Sequence, residues 1–203
     1  MSLSHIHPAL TPGAVAVITG GASGIGLATA RRLAKGGLKL CLADRDLEAL
    51  AAAASSLEGA AAVEVFQTDV SSLASVQALA AFVAERLGPL SVLMNNAGVG
   101  GGADALSNPE SWLRVLGVNL YGVIHGVQVF GPDMASSGQP GLIINTGSKQ
   151  GVTQPPGDTA YNVSKSGVKA LTEGLAHTLR TRQNCQVTAH LLIPGFTYTG
   201  MTA

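Results

Sequence analysis

The chain has 203 residues, of which 46% are hydrophobic and 12% charged, and its 12 basic and 12 acidic side chains cancel. That length supports one sizeable core, and 26 glycines against 9 prolines is neither a disordered nor a collagen-like composition. With no net charge there is no general field for nucleic acid or an anionic membrane surface, so neither is expected as a partner.

Two cysteines, Cys41 and Cys185, lie too far apart for a metal-ligand motif and are too few for a disulfide framework. The N-terminal MSLSHIHPALTPG lacks a basic region followed by an apolar run, and uninterrupted apolar stretches elsewhere fall well short of a membrane span. A cytoplasmic protein is the expectation. The mean hydropathy of +0.33 points to a sheet buried on both faces, to subunit contacts, or to both.

In chain order, Ala14 to Thr19 reads as a strand that gives way to GGASGIG and then to the helical ATARRLAKGG. Leu38 to Ala43 is a second strand, followed by an alanine-rich helix with Asp44 or Asp46 as its N-terminal cap. Val63 to Gln67 is strand-like, Ser72 to Leu87 helical, Leu90 to Met94 a short strand, and Asn95 to Gly102 a glycine-rich loop. Asn108 to Val129 is predicted as one long amphipathic helix, with Gly131 to Gly141 as a turn-rich connector. Leu142 to Asn145 is the fifth strand, a polar loop runs to Thr159, Ala160 to Arg182 is a long helix, and Val187 to Ile193 is the sixth strand. This alternation predicts a doubly wound, mostly parallel α/β sheet of about six strands, in a single domain spanning 1–203.

Chemistry concentrates at the strand ends. Gly20, Ser23, Gly24, Ile25 and Gly26 form a turn between the first strand and helix, where unpaired backbone N–H groups and the positive helix end can meet a pyrophosphate. The spacing is GxxxGxG, and the lysine of a phosphate loop is absent. Asp44, 24 residues after Gly20, stands where a carboxylate accepts adenosine ribose hydroxyls. Its charge favours NAD over NADP, although Arg45 beside it could turn toward a 2′-phosphate. Tyr161 and Lys165, four residues apart, share a helix face, and an ammonium beside a phenol stabilises phenolate. No GxSxG elbow surrounds Ser148, which argues against a hydrolase.

TGGASGIG at 19–26, NNAG at 95–98, Asn119, Ser148 and YNVSK at 161–165 together resemble the short-chain dehydrogenase/reductase family, over nearly the whole chain. The resemblance implies a Rossmann-like fold, a nicotinamide cofactor, a small-molecule alcohol or carbonyl substrate, and a homodimer or homotetramer. It implies catalytic roles for Tyr161, Ser148, Lys165 and Asn119, the last as a water-holding member of a proton relay. It also places Asp69 and Val70 at the adenine, and Asn96, Ala97 and Gly98 along the cofactor. Pro194, Gly195, Thr197 and Thr199 then fall beside the nicotinamide.

The family's substrate lid and seventh strand have no counterpart before Ala203, so the domain is expected to be incomplete at its C-terminus. A dinucleotide-binding regulatory protein with little turnover is the alternative class. Nucleotide-sugar epimerases and dehydratases share Tyr-x-x-x-Lys but need a larger C-terminal substrate domain.

Overall fold

The computed structural model describes residues 6–195. The positions of Thr197 and Thr199 lie outside them. Six strands form one sheet: β1 (Val15–Thr19), β2 (Lys39–Asp44), β3 (Ala62–Gln67), β4 (Leu90–Asn95), β5 (Gly141–Thr146) and β6 (Val187–Leu192). Their order is β3-β2-β1-β4-β5-β6, and every pairing is parallel. The winding direction reverses between β1 and β4, which opens a crevice at the carboxyl ends of these strands.

Alternation along β1 assigns each strand residue to one of two cores. Val17, Leu93 and Ile143 pack with α3 (Leu73–Arg86), α5 (Gly122–Ser136) and α7 (Thr159–Thr181). Ile18, Leu40, Leu42 and Met94 face the other way, against α1 (Gly24–Ala34) and α2 (Leu47–Ser55). Each fully buried aliphatic side chain contributes about 2 kcal/mol.

Local chemistry sets the helix starts. Asp46 caps α2 by accepting from Ala49 N at 2.9 Å, so of the two candidates the cap is Asp46, and Asp44 is left for the crevice. Ser72 caps α3 and accepts from Ser75 N at 3.3 Å. Asn108 accepts from Ser111 N at 2.9 Å and is followed by Pro109 in the first turn of α4 (Pro109–Leu116).

The long helix predicted from Asn108 to Val129 differs from expectation in two ways. It passes through a π-helical turn, Gly117–Tyr121, and α5 continues to Ser136 where a connector was expected. Packing accounts for the extension: Phe130, Met134 and Ala135 are buried in the core, and this outweighs the local signals of Gly131 and Pro132. Over Pro109–Ser136 the mean hydropathy and the length also suffice for a membrane crossing, which counting unbroken apolar runs had not shown. In the fold, α5 packs against β4 and α3. The loop after β5 also contains a short helix, α6 (Gln150–Thr153), ended by Gln154 in the left-handed region at φ 46°.

Candidate active site

The crevice is a cleft of about 1040 Å³. At one end lies the turn between β1 and α1. Gly20 adopts φ +63°, which favours a residue without Cβ, and a Cβ at Gly26 would collide with the Gly20 carbonyl oxygen. Gly26 is therefore a packing glycine, which lets α1 start against the strand end. It does not itself line the cleft, whereas Gly20, Ser23, Gly24 and Ile25 do. Ser23 makes no side-chain cap to α1, so the first N–H groups of the helix stay available to an anion.

Asp44 stands beside this turn. Its carboxylate accepts from Arg45 N at 2.8 Å, Asp46 N at 3.4 Å and Ala22 N at 3.3 Å, which fixes it at the cleft wall next to the exposed Arg45. Asp69 and Val70 line the wall further along. Asp69 accepts from Ser71 N at 2.9 Å and from the Ser71 hydroxyl at 2.6 Å, while the cap of α3 is Ser72, so Asp69 does not serve as a helix cap. The Val70 carbonyl is tied to His125 Nδ1 at 2.9 Å.

The NNAG segment forms the floor. The Asn96 carboxamide donates to the Thr19 and Gly20 carbonyls at 3.2 Å each and accepts from the Thr146 hydroxyl at 3.3 Å, which joins three strand ends. Thr19 Oγ1 accepts from Asn96 N at 2.9 Å and Ala97 N at 3.2 Å. Asn96, Ala97 and Gly98 all line the cleft.

Asn119 is fully buried in the π-helical turn and is absent from the cleft wall. Its Oδ1 accepts from Val99 N at 2.7 Å and its Nδ2 donates to Val99 O at 3.0 Å. Both ends of the amide thus clamp the loop that follows β4, with one hydrogen bond each.

At the other end, Ser148, Tyr161 and Lys165 come together in the cleft. The Lys165 ammonium, 4% exposed, donates to Thr146 O at 2.8 Å and lies 5.7 Å from the centre of the Tyr161 ring. Burial lowers its pKa from 10.5 to about 8. The Tyr161 phenol is raised above its ordinary 10 by burial, a hydrogen bond with Ser148 pulls it back, and the Asp158 carboxylate pushes it up. The expected lowering of the phenol by Lys165 does not dominate here. Asp158 accepts from Tyr161 N at 3.4 Å as the cap of α7, and it packs so closely on Gly101 that no Cβ fits there.

A glycine turn over an uncapped helix start, a carboxylate at one wall and a tyrosine–lysine pair at the other give a cleft shaped for a dinucleotide beside a proton-transfer site. Residues 14–203 match the family model described as short chain dehydrogenase. The chain belongs to the short-chain dehydrogenases. It is thereby an NAD(P)-dependent oxidoreductase of the class that interconverts alcohols and carbonyls. A short-chain dehydrogenase/reductase from Burkholderia phymatum, solved with NAD, is 46% identical, with a TM-score of 0.90 over 94% of this chain and 68% of that one. A metagenomic short-chain oxidoreductase solved with NADP is 34% identical, with a TM-score of 0.82 over 92% and 84% of the two chains. Galactitol 2-dehydrogenase (L-tagatose-forming) of Cereibacter sphaeroides is 38% identical over 193 residues, covering 94% of this chain and 74% of that enzyme.

In this short-chain dehydrogenase Pro194 and Gly195 also reach the cleft. Sequence reasoning missed Thr146, which acts through its backbone carbonyl and so leaves no side-chain signature. It also missed Asp158. The signal for Asp158 was its position three residues before Tyr161 at a helix start, a spacing typical of a cap.

Proposed function

We propose that this chain uses NAD in preference to NADP, and that Tyr161 exchanges the proton between solvent-side groups and the oxygen of a neutral, hydroxylated alcohol or its carbonyl counterpart. The convergence of Ser148, Tyr161 and Lys165 at one end of the cleft, with Asp44 at the other, carries the reading.

When bound, the nicotinamide supplies or accepts the hydride. Burial raises the Tyr161 pKa and so favours the protonated phenol, which donates to a carbonyl oxygen in reduction; in oxidation the phenol first gives its proton up to solvent, and the phenolate then receives the alcohol proton. The Ser148 hydroxyl holds and polarises the same oxygen. Lys165, charged at neutral pH, would hold the nicotinamide ribose and oppose the charge that develops on the phenol. We assign Asn119 the task of fixing the loop at Val99 through both ends of its amide.

Asp44 supports the NAD preference, since its fixed carboxylate would repel a 2′-phosphate at the same wall. The substrate end is polar, with Ser148, Lys149, Gln150, Thr153 and Asp158 around it. Lys149 and Asp158 carry opposite charges there, which fits a neutral, hydroxylated substrate better than a charged one. Exposed Leu106, Leu113, Tyr121 and Val163 support association into a homodimer or homotetramer.

Titration by nicotinamide fluorescence is expected to give tight NADH binding and at least about tenfold weaker NADPH binding, with the gap closing in Asp44→Ser. Stronger NADPH binding by the unaltered chain would reverse the assignment. In the same preparation, turnover of neutral polyols above hydroxy acids and a light-scattering mass above that of one chain are expected. The opposite ranking, or a monomer, would remove those parts of the reading.

A further inference from the structure

Beyond the cleft, a line of buried side-chain hydrogen bonds crosses the molecule. Asn95 Nδ2 donates to Asn145 Oδ1 at 2.9 Å, Asn145 Nδ2 donates to Thr172 Oγ1 at 3.0 Å, and the Thr172 hydroxyl donates to Val168 O at 2.7 Å. All three side chains are buried. At its β4 end, Asn95 Oδ1 has no hydrogen-bond partner among the described residues and lies against Gly126 of α5, where a Cβ would collide with it. The hydrogen bonds therefore tie β4, β5 and α7 together, and α5 packs against their β4 end.

Its place relative to Lys165 gives it meaning. Asn145 and Thr146 are consecutive residues of β5: the first reaches Thr172 through its side chain, and the second takes the Lys165 ammonium on its carbonyl. Thr172 follows Lys165 by two helical turns, so β5 grips α7 at points about 10 Å apart along the helix axis. A single grip leaves a helix free to pivot; two fix both its rotation and its rise. A slip of one residue would turn Tyr161 by about 100°. A threonine hydroxyl bonded back to the fourth preceding carbonyl contributes little to a helix by itself. Here the hydroxyl is useful because it presents a lone pair to Asn145.

We propose that Thr172 is a positioning residue for the reaction: through Asn145 it sets the register of α7 on the sheet, and with it the placement of Tyr161 against Ser148 and of Lys165 against Thr146. This rests on the proposed roles of Tyr161 and Lys165.

The test compares Thr172→Val, which keeps the shape and removes the hydroxyl, with Thr172→Ser, which keeps the hydroxyl, and uses Tyr161→Phe as reference. Steady-state kinetics across pH and thermal melting are measured on each full chain. The expected result is a kcat reduced about tenfold or more in Thr172→Val, with little change in substrate KM, a displaced pH limb, and recovery in Thr172→Ser. If Thr172→Val melts earlier but keeps kcat and the pH limb, the residue is only structural and the proposal is overturned. Should Thr172→Val fail to fold, Thr172→Cys is measured by the same criteria. An active Tyr161→Phe overturns the reading of the site and this inference together. An inactive Tyr161→Phe beside a fully active Thr172→Val overturns this inference alone.

Discussion

Lys165 gives up its hydration shell and donates to the Thr146 carbonyl, and its pKa falls from 10.5 to about 8. Below about pH 8 the ammonium is charged in both the folded and unfolded chain, and the folded state bears the full desolvation penalty of about 3 kcal/mol. As pH rises from about 8 toward 10.5, the folded chain releases its proton while the unfolded chain retains it, so stability increases across that window. Denaturant unfolding of the native chain and of Lys165→Met is expected to show a difference that shifts in favour of the native chain over this range. A pH-independent difference would mean that Lys165 is hydrated in the folded state. At the same scale, Asp44 was marked by its position after the glycine turn, whereas Tyr161, Lys165 and Ser148 were singled out chiefly by the family resemblance of their motifs, and all four line the cleft. Thr146 and Thr172 were not legible, because a backbone carbonyl and a helix-interior threonine acquire their roles only when β5 and α7 meet.

Among the elements, α1 depends on close approach to the strand end, while α7 has room to spare at Gly174. Gly26→Ala would drive a methyl into the Gly20 carbonyl, which is backbone and cannot swing aside. A loss of about 1–3 kcal/mol, with weakened dinucleotide binding, is expected from denaturation and fluorescence titration. Gly174 lies exposed in α7, where a Cβ meets open space, so Gly174→Ala is expected to raise stability by up to about 1 kcal/mol. A neutral Gly26→Ala would contradict the packing described for the turn. Strand positions were readable to within a residue or two because buried parallel strands are short apolar runs between turn signals. The passage from Asn108 to Ser136 was harder. Its π-helical turn is held by Asn119 bonding Val99, and its last turns by Phe130 and Met134 in the core, contacts that no local pattern encodes.

For the whole molecule, the order β3-β2-β1-β4-β5-β6 brings segments far apart in sequence to one crevice. The turn after β1, Asp44 at the end of β2, Asp69 after β3 and the NNAG segment at the end of β4 define one half, while Ser148 after β5 and Tyr161 and Lys165 on α7 define the other. The rhythm of strands and helices was enough to predict this architecture, since parallel strands with right-handed crossovers leave few alternatives. The direction in which each side chain enters the crevice, and the opposing effects of Ser148 and Asp158 on the phenol, required the folded arrangement. The claim on which everything else depends is that hydride moves to a carbonyl carbon in this cleft while Tyr161 delivers the proton. Incubation of the chain with NADH deuterated at nicotinamide C4 and a panel of ketoses and simple ketones tests it most directly. Deuterium is expected at the carbinol carbon of a product, and is expected to be lost in Tyr161→Phe with NADH binding retained. Equal deuterium incorporation by Tyr161→Phe would contradict it.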